Sequence, residues 1–187
     1  MTAGAGRGLV HRHMPSPNWN ERRAPVSMIV LHYTGMPNAA DALARLCDPA
    51  SEVSAHYLVD EDGTVIALVP EDKRAWHAGR AFWRGITDVN SASIGIELVN
   101  PGHEWGYRRF PEAQMGTLLP LIADIVDRHD IARANVVGHS DVAPARKLDP
   151  GKNIVTILAD YGQRYQAKLF NQAVLKSGHL PVPERVE

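Results

Sequence analysis

Two histidines close runs that read as buried strands. His32 ends 26–32 (VSMIVLH), and His139 ends 135–139 (NVVGH). A polar ring at the end of a strand points into the crevice where α/β folds place their sites. Further along, KLDPG (147–151) delivers an ammonium and a carboxylate together. Proline keeps its predecessor Asp149 extended, and in an extended segment Lys147 and Asp149 face the same way. Two histidines and one carboxylate form a complete catalytic zinc set that leaves a fourth position for water. The two histidines are too far apart in the chain to form a local metal motif. On residue types alone, a hydrogen-bonded strand-end histidine and a plain Asp-Pro-Gly turn explain them better than a metal does.

These residues need elements to position them. The run at 26–32 is almost unbroken apolar and β-branched, the pattern of a strand buried on both faces. Segment 38–48 (NAADALARLCD) predicts a short helix with Asn38 as N-cap and Pro49 as its stop. Strands at 54–60 and 64–69 flank Glu61-Asp62-Gly63, an Asp-Gly hairpin signal. Segment 93–99 (SIGIELV) alternates, with Ile94, Ile96 and Leu98 on one face and Ser93, Gly95 and Glu97 on the other. The small residues on that second face leave space above the sheet beside Glu97. Pro111 opens a helical stretch in which Met115, Leu118, Leu119, Ile122, Ile125 and Val126 keep helical spacing. Pro120 inside it predicts a kink or two shorter helices. A short strand at 135–138 follows, then a helix over 154–176 broken near Gly162. The expected fold class is α/β: one domain with a mixed central β-sheet flanked by helices.

Composition narrows the function classes. The chain has 187 residues and 20.5 kDa, about one domain at roughly 150 residues per domain. Its 20 Lys+Arg against 21 Asp+Glu give a net charge of -1, which offers no footprint for nucleic acid or an acidic membrane. The single cysteine, Cys47, excludes an intrachain disulfide and a thiolate-rich metal site. The first residues, MTAGAGRGLVHRH, carry no apolar run of signal-peptide length, and no stretch approaches a membrane span. A cytoplasmic protein is expected, or an exported one if a signal has been removed.

Several segments, in order along the chain, resemble the type 2 N-acetylmuramoyl-L-alanine amidases, the AmpD-type zinc hydrolases of peptidoglycan related to peptidoglycan recognition proteins. They are SPNWNERR (16–23), MIVLHYTGM (28–36), SAHYLVDEDGTV (54–65), WHAG (76–79), SIGIELVN (93–100) and VVGHSDVAPARKLDPG (136–151). The resemblance implies one zinc ion on His32, His139 and Asp149, at the strand ends in an open cleft. It makes Glu97 the acid/base carboxylate and Lys147 the donor to the oxyanion. It implies that Trp76, His77, Tyr33 and Asn18 line or border the cleft, with Arg22 near Asn18, and that the partners are muropeptides. The amidase domain is expected over 14–176, after a flexible segment 1–13 and before an irregular tail 177–187.

The implied reaction is hydrolysis of the amide between N-acetylmuramic acid, or its 1,6-anhydro form, and L-alanine. Two other readings compete. One is a non-catalytic peptidoglycan-binding module, which the complete ligand set disfavours. The other makes Cys47 a nucleophile with His56 as base, although Cys47 lies late in its helix, away from the N-terminus that would acidify a thiol. His56, inside its strand, is expected to be buried beside the site. His11, His13, His103, His129 and His179 are expected to be solvated.

Overall fold

Alternation along the strands decides which face of the sheet becomes core and which becomes site. The computed structural model of the chain describes residues 8–143. Lys147, Asp149, His179 and the helix expected over 154–176 lie outside the described residues. In chain order the elements are β1 (Arg12–His13), β2 (Trp19–Glu21), β3 (Met28–Tyr33), α1 (Ala39–Leu46), β4 (Tyr57–Val59), β5 (Val65–Ala67), β6 (Lys73–Ala75), α2 (Val89–Ala92), β7 (Ser93–Leu98), α3 (Glu112–His129), β8 (Val136–Gly138) and α4 (His139–Val142). Six strands form one sheet in the order β1-β5-β4-β7-β3-β8, and β2 pairs with β6 in a separate ribbon. The large sheet is mixed: β4 and β5 are antiparallel, and the other neighbours are parallel.

One face of this sheet lies under α3. Ile29 and Leu31 of β3, Ile94, Ile96 and Leu98 of β7, and Val136 of β8 pack there against Leu118, Leu121, Ile122 and Ile125. Each side chain buried in this way contributes roughly 1.5–3 kcal/mol. The buried Gln114 side chain ties the first turn of α3 to the sheet by donating to the carbonyls of Val59, at 2.9 Å, and Val99, at 3.0 Å.

The other face is divided. Met28, Val30 and Val137 form one apolar cluster with Ala78, Val89 and Val142. Leu58, Ile66 and Val99 form another under Ala42, Leu43 and Leu46 of α1. Between the two clusters runs β7, and there alternation presents Ser93, Gly95 and Glu97. A polar strip therefore separates two small cores.

Local signals explain the elements. Asn38 caps α1 by accepting from the Asp41 amide at 2.9 Å, and the helix stops at Leu46, ahead of Pro49. The hairpin turns at Gly63, whose φ of 88° suits glycine. A Cβ there would also stand 2.7 Å from the Ala113 carbonyl oxygen.

Three expectations change. Of the two outcomes expected at Pro120, the split into shorter helices does not occur, since α3 is one helix over Glu112–His129; the carbonyl that loses its partner belongs to Gly116, which is exposed to water. Arg12 and His13, expected in a flexible segment, pair with Ile66 and Ala67 as the edge strand β1. His139 does not end a strand but is the first residue of α4. Among the described residues no helix is long and apolar enough to cross a membrane.

Candidate active site

Parallel pairing of β3 with β7 sets His32 directly beside Glu97. Both stand on the divided face, and Glu97 Oε1 lies 3.9 Å from His32 Nδ1, with 15% of the carboxylate side chain exposed. β8 flanks β3 on the other side, paired up to Leu31↔Gly138, so the chain leaves the sheet at His139 next to the end of β3. The Gly138 amide donates to Asp141 Oδ2 at 2.8 Å, which holds the start of α4. His139 Nδ1 thereby comes within 2.8 Å of His32 Nδ1.

The space expected above Ser93 and Gly95 is filled by the ring of His77. A Cβ on Gly95 would fall 2.7 Å from His77 Nδ1 and closer still to Cγ and Cδ2. His77 was expected to line the substrate cleft; it is buried, with Nδ1 3.0 Å from His32 Nε2 and Nε2 3.1 Å from Ser93 Oγ. Asn90 Oδ1 accepts from the His77 amide at 3.1 Å and the Ala78 amide at 2.8 Å, which anchors this segment to α2. Sequence reasoning missed Asn90 and this use of Ser93. The small polar run NSAS (90–93) before the strand was the available signal.

His56 is fully buried behind His77, with the ring centroids 5.8 Å apart. Its Nδ1 accepts from the Gly95 amide at 2.9 Å, and its Nε2 lies 3.1 Å from the Lys73 carbonyl oxygen. Burial first, and then the Arg22 guanidinium, push its pKa down to about 3. Burial and the neighbouring imidazoles likewise hold His77 well below the ordinary histidine range. Both rings are therefore neutral at physiological pH.

This donor chemistry fits a divalent metal. His32 turns Nδ1 toward His139 and Glu97 while His77 engages its Nε2, the arrangement of a histidine held by one ring nitrogen and offering the other to a metal. Among the described residues no three His, Cys, Asp or Glu side chains form a metal-sized group. Asp149 and Lys147, expected as third ligand and oxyanion donor, lie outside the described residues.

The remaining expectations separate. Trp76, one residue before His77, is partly exposed and donates Nε1 to Asn20 Oδ1 of β2 at 3.2 Å. Asn18, expected at the cleft, is only 2% exposed. Its amide nitrogen donates to the carbonyls of Asp48 and Val53, both at 2.8 Å, and lies 3.2 Å from Ser51 Oγ, so it clamps the chain after α1 and has no donor left for a ligand. Arg22 is equally committed: Nη1 donates to the Ser91 carbonyl at 2.5 Å, Nη2 to Ser93 at 3.0 Å and Nε to Glu71 at 2.8 Å. Tyr33 alternates to the α3 face, opposite His32, where its Cε2 would stand 2.8 Å from a Cβ on Gly102.

The Cys47 reading fails. Burial raises the thiol pKa, and both nitrogens of its expected base, His56, are engaged. His129 was expected to be solvated but lies 2.8 Å from Glu71 Oε2. His11 accepts from the Val65 amide at 3.0 Å, and the exposed His103 stacks on Tyr107.

Comparison with known proteins places this geometry. The family model described as N-acetylmuramoyl-L-alanine amidase matches residues 22–152. N-acetylmuramoyl-L-alanine amidase AmiD of Escherichia coli is 42% identical over 138 residues, 67% of this chain and 49% of AmiD. The chain thus spans about half the length of that relative. 1,6-anhydro-N-acetylmuramyl-L-alanine amidase AmpD of Enterobacter cloacae is 34% identical over 160 residues, 75% of this chain and 83% of AmpD. Among solved structures, E. coli AmiD in complex with the substrate anhydro-N-acetylmuramic acid-L-Ala-D-gamma-Glu-L-Lys superposes with a TM-score of 0.60 at 40% identity, covering 71% of this chain and 56% of that one.

Proposed function

Because the chain belongs to the N-acetylmuramoyl-L-alanine amidase family, we propose that it hydrolyses the amide joining N-acetylmuramic acid, or its 1,6-anhydro form, to the L-alanine of the stem peptide, with zinc held by His32, His139 and Asp149. One observation carries this reading: His32 Nδ1 faces both His139 Nδ1, at 2.8 Å, and Glu97 Oε1, at 3.9 Å. Bound zinc supplies an acidified water, with its pKa lowered from 15.7 toward about 7, and a polarised carbonyl.

The other roles belong to the chain itself. Glu97 accepts the proton of the attacking water at its carboxylate and returns it to the nitrogen of the leaving L-alanine. A positioned group of this kind contributes typically ~10²–10⁴ in rate. Lys147 donates to the oxyanion as the tetrahedral centre forms, and one such donor contributes roughly 3 kcal/mol. His32 and Glu97 share a partly buried strip between two apolar clusters, where water is thinned and the carboxylate interacts strongly with the reacting atoms.

The substrate pool follows the compartment. In the cytoplasm the substrates are 1,6-anhydro-muropeptides released during wall recycling; outside it they are intact or fragmented peptidoglycan. The AmiD complex with an anhydro-muramyl peptide supports anhydro-muropeptides as substrates in either compartment. A binding-only module has no need of Glu97 beside a histidine pair.

The test compares release of free peptide from anhydro-muropeptide and from intact sacculi, each with and without added zinc. About one zinc per chain and chelator-sensitive release are expected. Glu97→Ala should keep the metal and lose turnover by about 10²-fold or more. Full turnover by Glu97→Ala overturns the proton-transfer role, and release that ignores metal removal overturns the zinc reading.

A further inference from the structure

We propose that Ser93 and His77 are positioning residues for His32: a hydrogen-bond chain beginning at the Val89 carbonyl decides which ring nitrogen of His32 carries the proton. The inference rests on the reading of His32 as a metal ligand.

The chain has a direction because its first member can only accept. Ser93 Oγ lies 2.5 Å from the Val89 carbonyl oxygen, so the single hydroxyl proton of Ser93 goes to that carbonyl. Toward His77 Nε2, 3.1 Å away, Ser93 Oγ is then left as acceptor, which places a proton on His77 Nε2. A neutral imidazole with a proton on Nε2 presents a lone pair at Nδ1. His77 Nδ1 lies 3.0 Å from His32 Nε2, so His32 must donate from Nε2. Its Nδ1, the atom that faces His139 and Glu97, is left in the form that binds a cation. Each link follows from the one before, back to a main-chain carbonyl that cannot change its role.

The surroundings enforce the same order. His77 is buried, with its ring set edge-on to His32 at 5.0 Å and to His56 at 5.8 Å between centroids. The ring cannot slide, because Gly95 seats its face and Asn90 holds its backbone. An unconstrained neutral histidine divides between two tautomers, one of which points N–H at the metal position and cannot ligate. Partners that fix the tautomer of a ligating histidine commonly account for 10–100-fold in metal affinity.

Three variants test the chain. Ser93→Ala removes only the terminal acceptor, and His77→Phe keeps a ring over Gly95 without a nitrogen. His77→Gln restores one acceptor and one donor. Two measurements apply: ¹⁵N NMR of the imidazoles in the metal-free protein, and zinc affinity by chelator competition, with circular dichroism as the control for folding. In the wild type, His32 should be protonated on Nε2. His77→Phe should mix the tautomers and weaken zinc binding roughly 10–100-fold, Ser93→Ala should weaken it less, and His77→Gln should recover part of the loss.

A wild-type His32 protonated on Nδ1 overturns the proposal. So does a folded Ser93→Ala protein with unchanged tautomer and unchanged zinc affinity. If His77→Phe does not fold, the wild-type spectrum and Ser93→Ala decide. A wild-type protein that takes up no zinc instead removes the ligand reading on which the inference stands.

Discussion

Two clusters of titratable side chains lie on opposite faces of the sheet, and they are built by opposite rules. On the α3 face, Glu71 accepts from Tyr57 Oη at 2.7 Å, from Arg128 Nη1 and Nη2 at 2.5 and 2.9 Å, and lies 2.8 Å from His129 Nε2. Arg128 also donates to Asp124 at 2.8 Å. On the divided face, the imidazoles of His56, His77, His32 and His139 follow one another in contact from Gly95 toward Glu97. Burial alone would raise the pKa of Glu71, but its donors outweigh that and hold it at about 2. In the histidine cluster burial prevails, and His56 and His77 stay neutral. One cluster matches charges and so holds structure together. The other packs imidazoles nitrogen to nitrogen, which orients the rings at the strand ends. Arg22 joins them, with Nε on the Glu71 carbonyl and Nη2 on the Ser93 carbonyl.

The contrast can be broken experimentally. The largest expected effect on stability is from Glu71→Gln, which leaves Arg128 short of its partner in a mostly buried place. A loss of about 3–5 kcal/mol is expected in urea unfolding at pH 7, with zinc affinity unchanged. A parallel fall in zinc affinity would show that the two clusters are a single unit.

Acid sharpens the same point. The folded pKa of Glu71 is about 2 against an ordinary 4.5, so its contribution is complete above 4.5 and is lost as pH falls toward about 2. The folded pKa of His56 is about 3 against an ordinary 6.5, so the unfolded chain takes up the proton first, and stability falls as pH drops from 6.5 toward about 3. Unfolding free energy should therefore begin to decline below pH 6.5 and steepen below 4.5. The Glu71→Gln protein should lose the steeper part and keep the earlier one.

A smaller effect is expected from Gly95→Ala. Its new Cβ must displace the His77 ring, at a cost of roughly 1–3 kcal/mol for overpacking, and zinc should bind more weakly because His32 loses its partner. Wild-type zinc affinity with reduced stability would mean that His77 packs without positioning. Asn18→Ala is the mildest: about 1–2 kcal/mol from carbonyls left without their donor, with KM for muropeptide unchanged. A raised KM would return Asn18 to the cleft.

Much of this was legible in the residues. The alternation of SIGIELV sorted Ile94, Ile96 and Leu98 from Ser93, Gly95 and Glu97, and the structure sorts them the same way, because a pleated strand leaves no other choice. The Asp-Gly hairpin and the Asn38 cap needed only neighbours a few residues away. What failed depended on distant partners. Asn18 looked like a cleft residue until its acceptors were found on Asp48 and Val53. His77 looked like a cleft residue until Gly95 proved to be its seat. Pro120 failed to break α3, because apolar packing of the helix against the sheet outweighs one lost hydrogen bond.

The chain's own order of residues thus determined the central strands, the hairpin, the long helix, the small-residue face of β7 and the kinds of donor available at the strand ends. Tertiary structure decided which donors meet. The pairing of His32 with Glu97 is a matter of register between strands separated by nearly half the described chain. The approach of His139 depends on β8 docking beside β3. Periodicity is a property of neighbours and can be read from them, whereas register and docking are set by which buried surfaces close with fewest gaps.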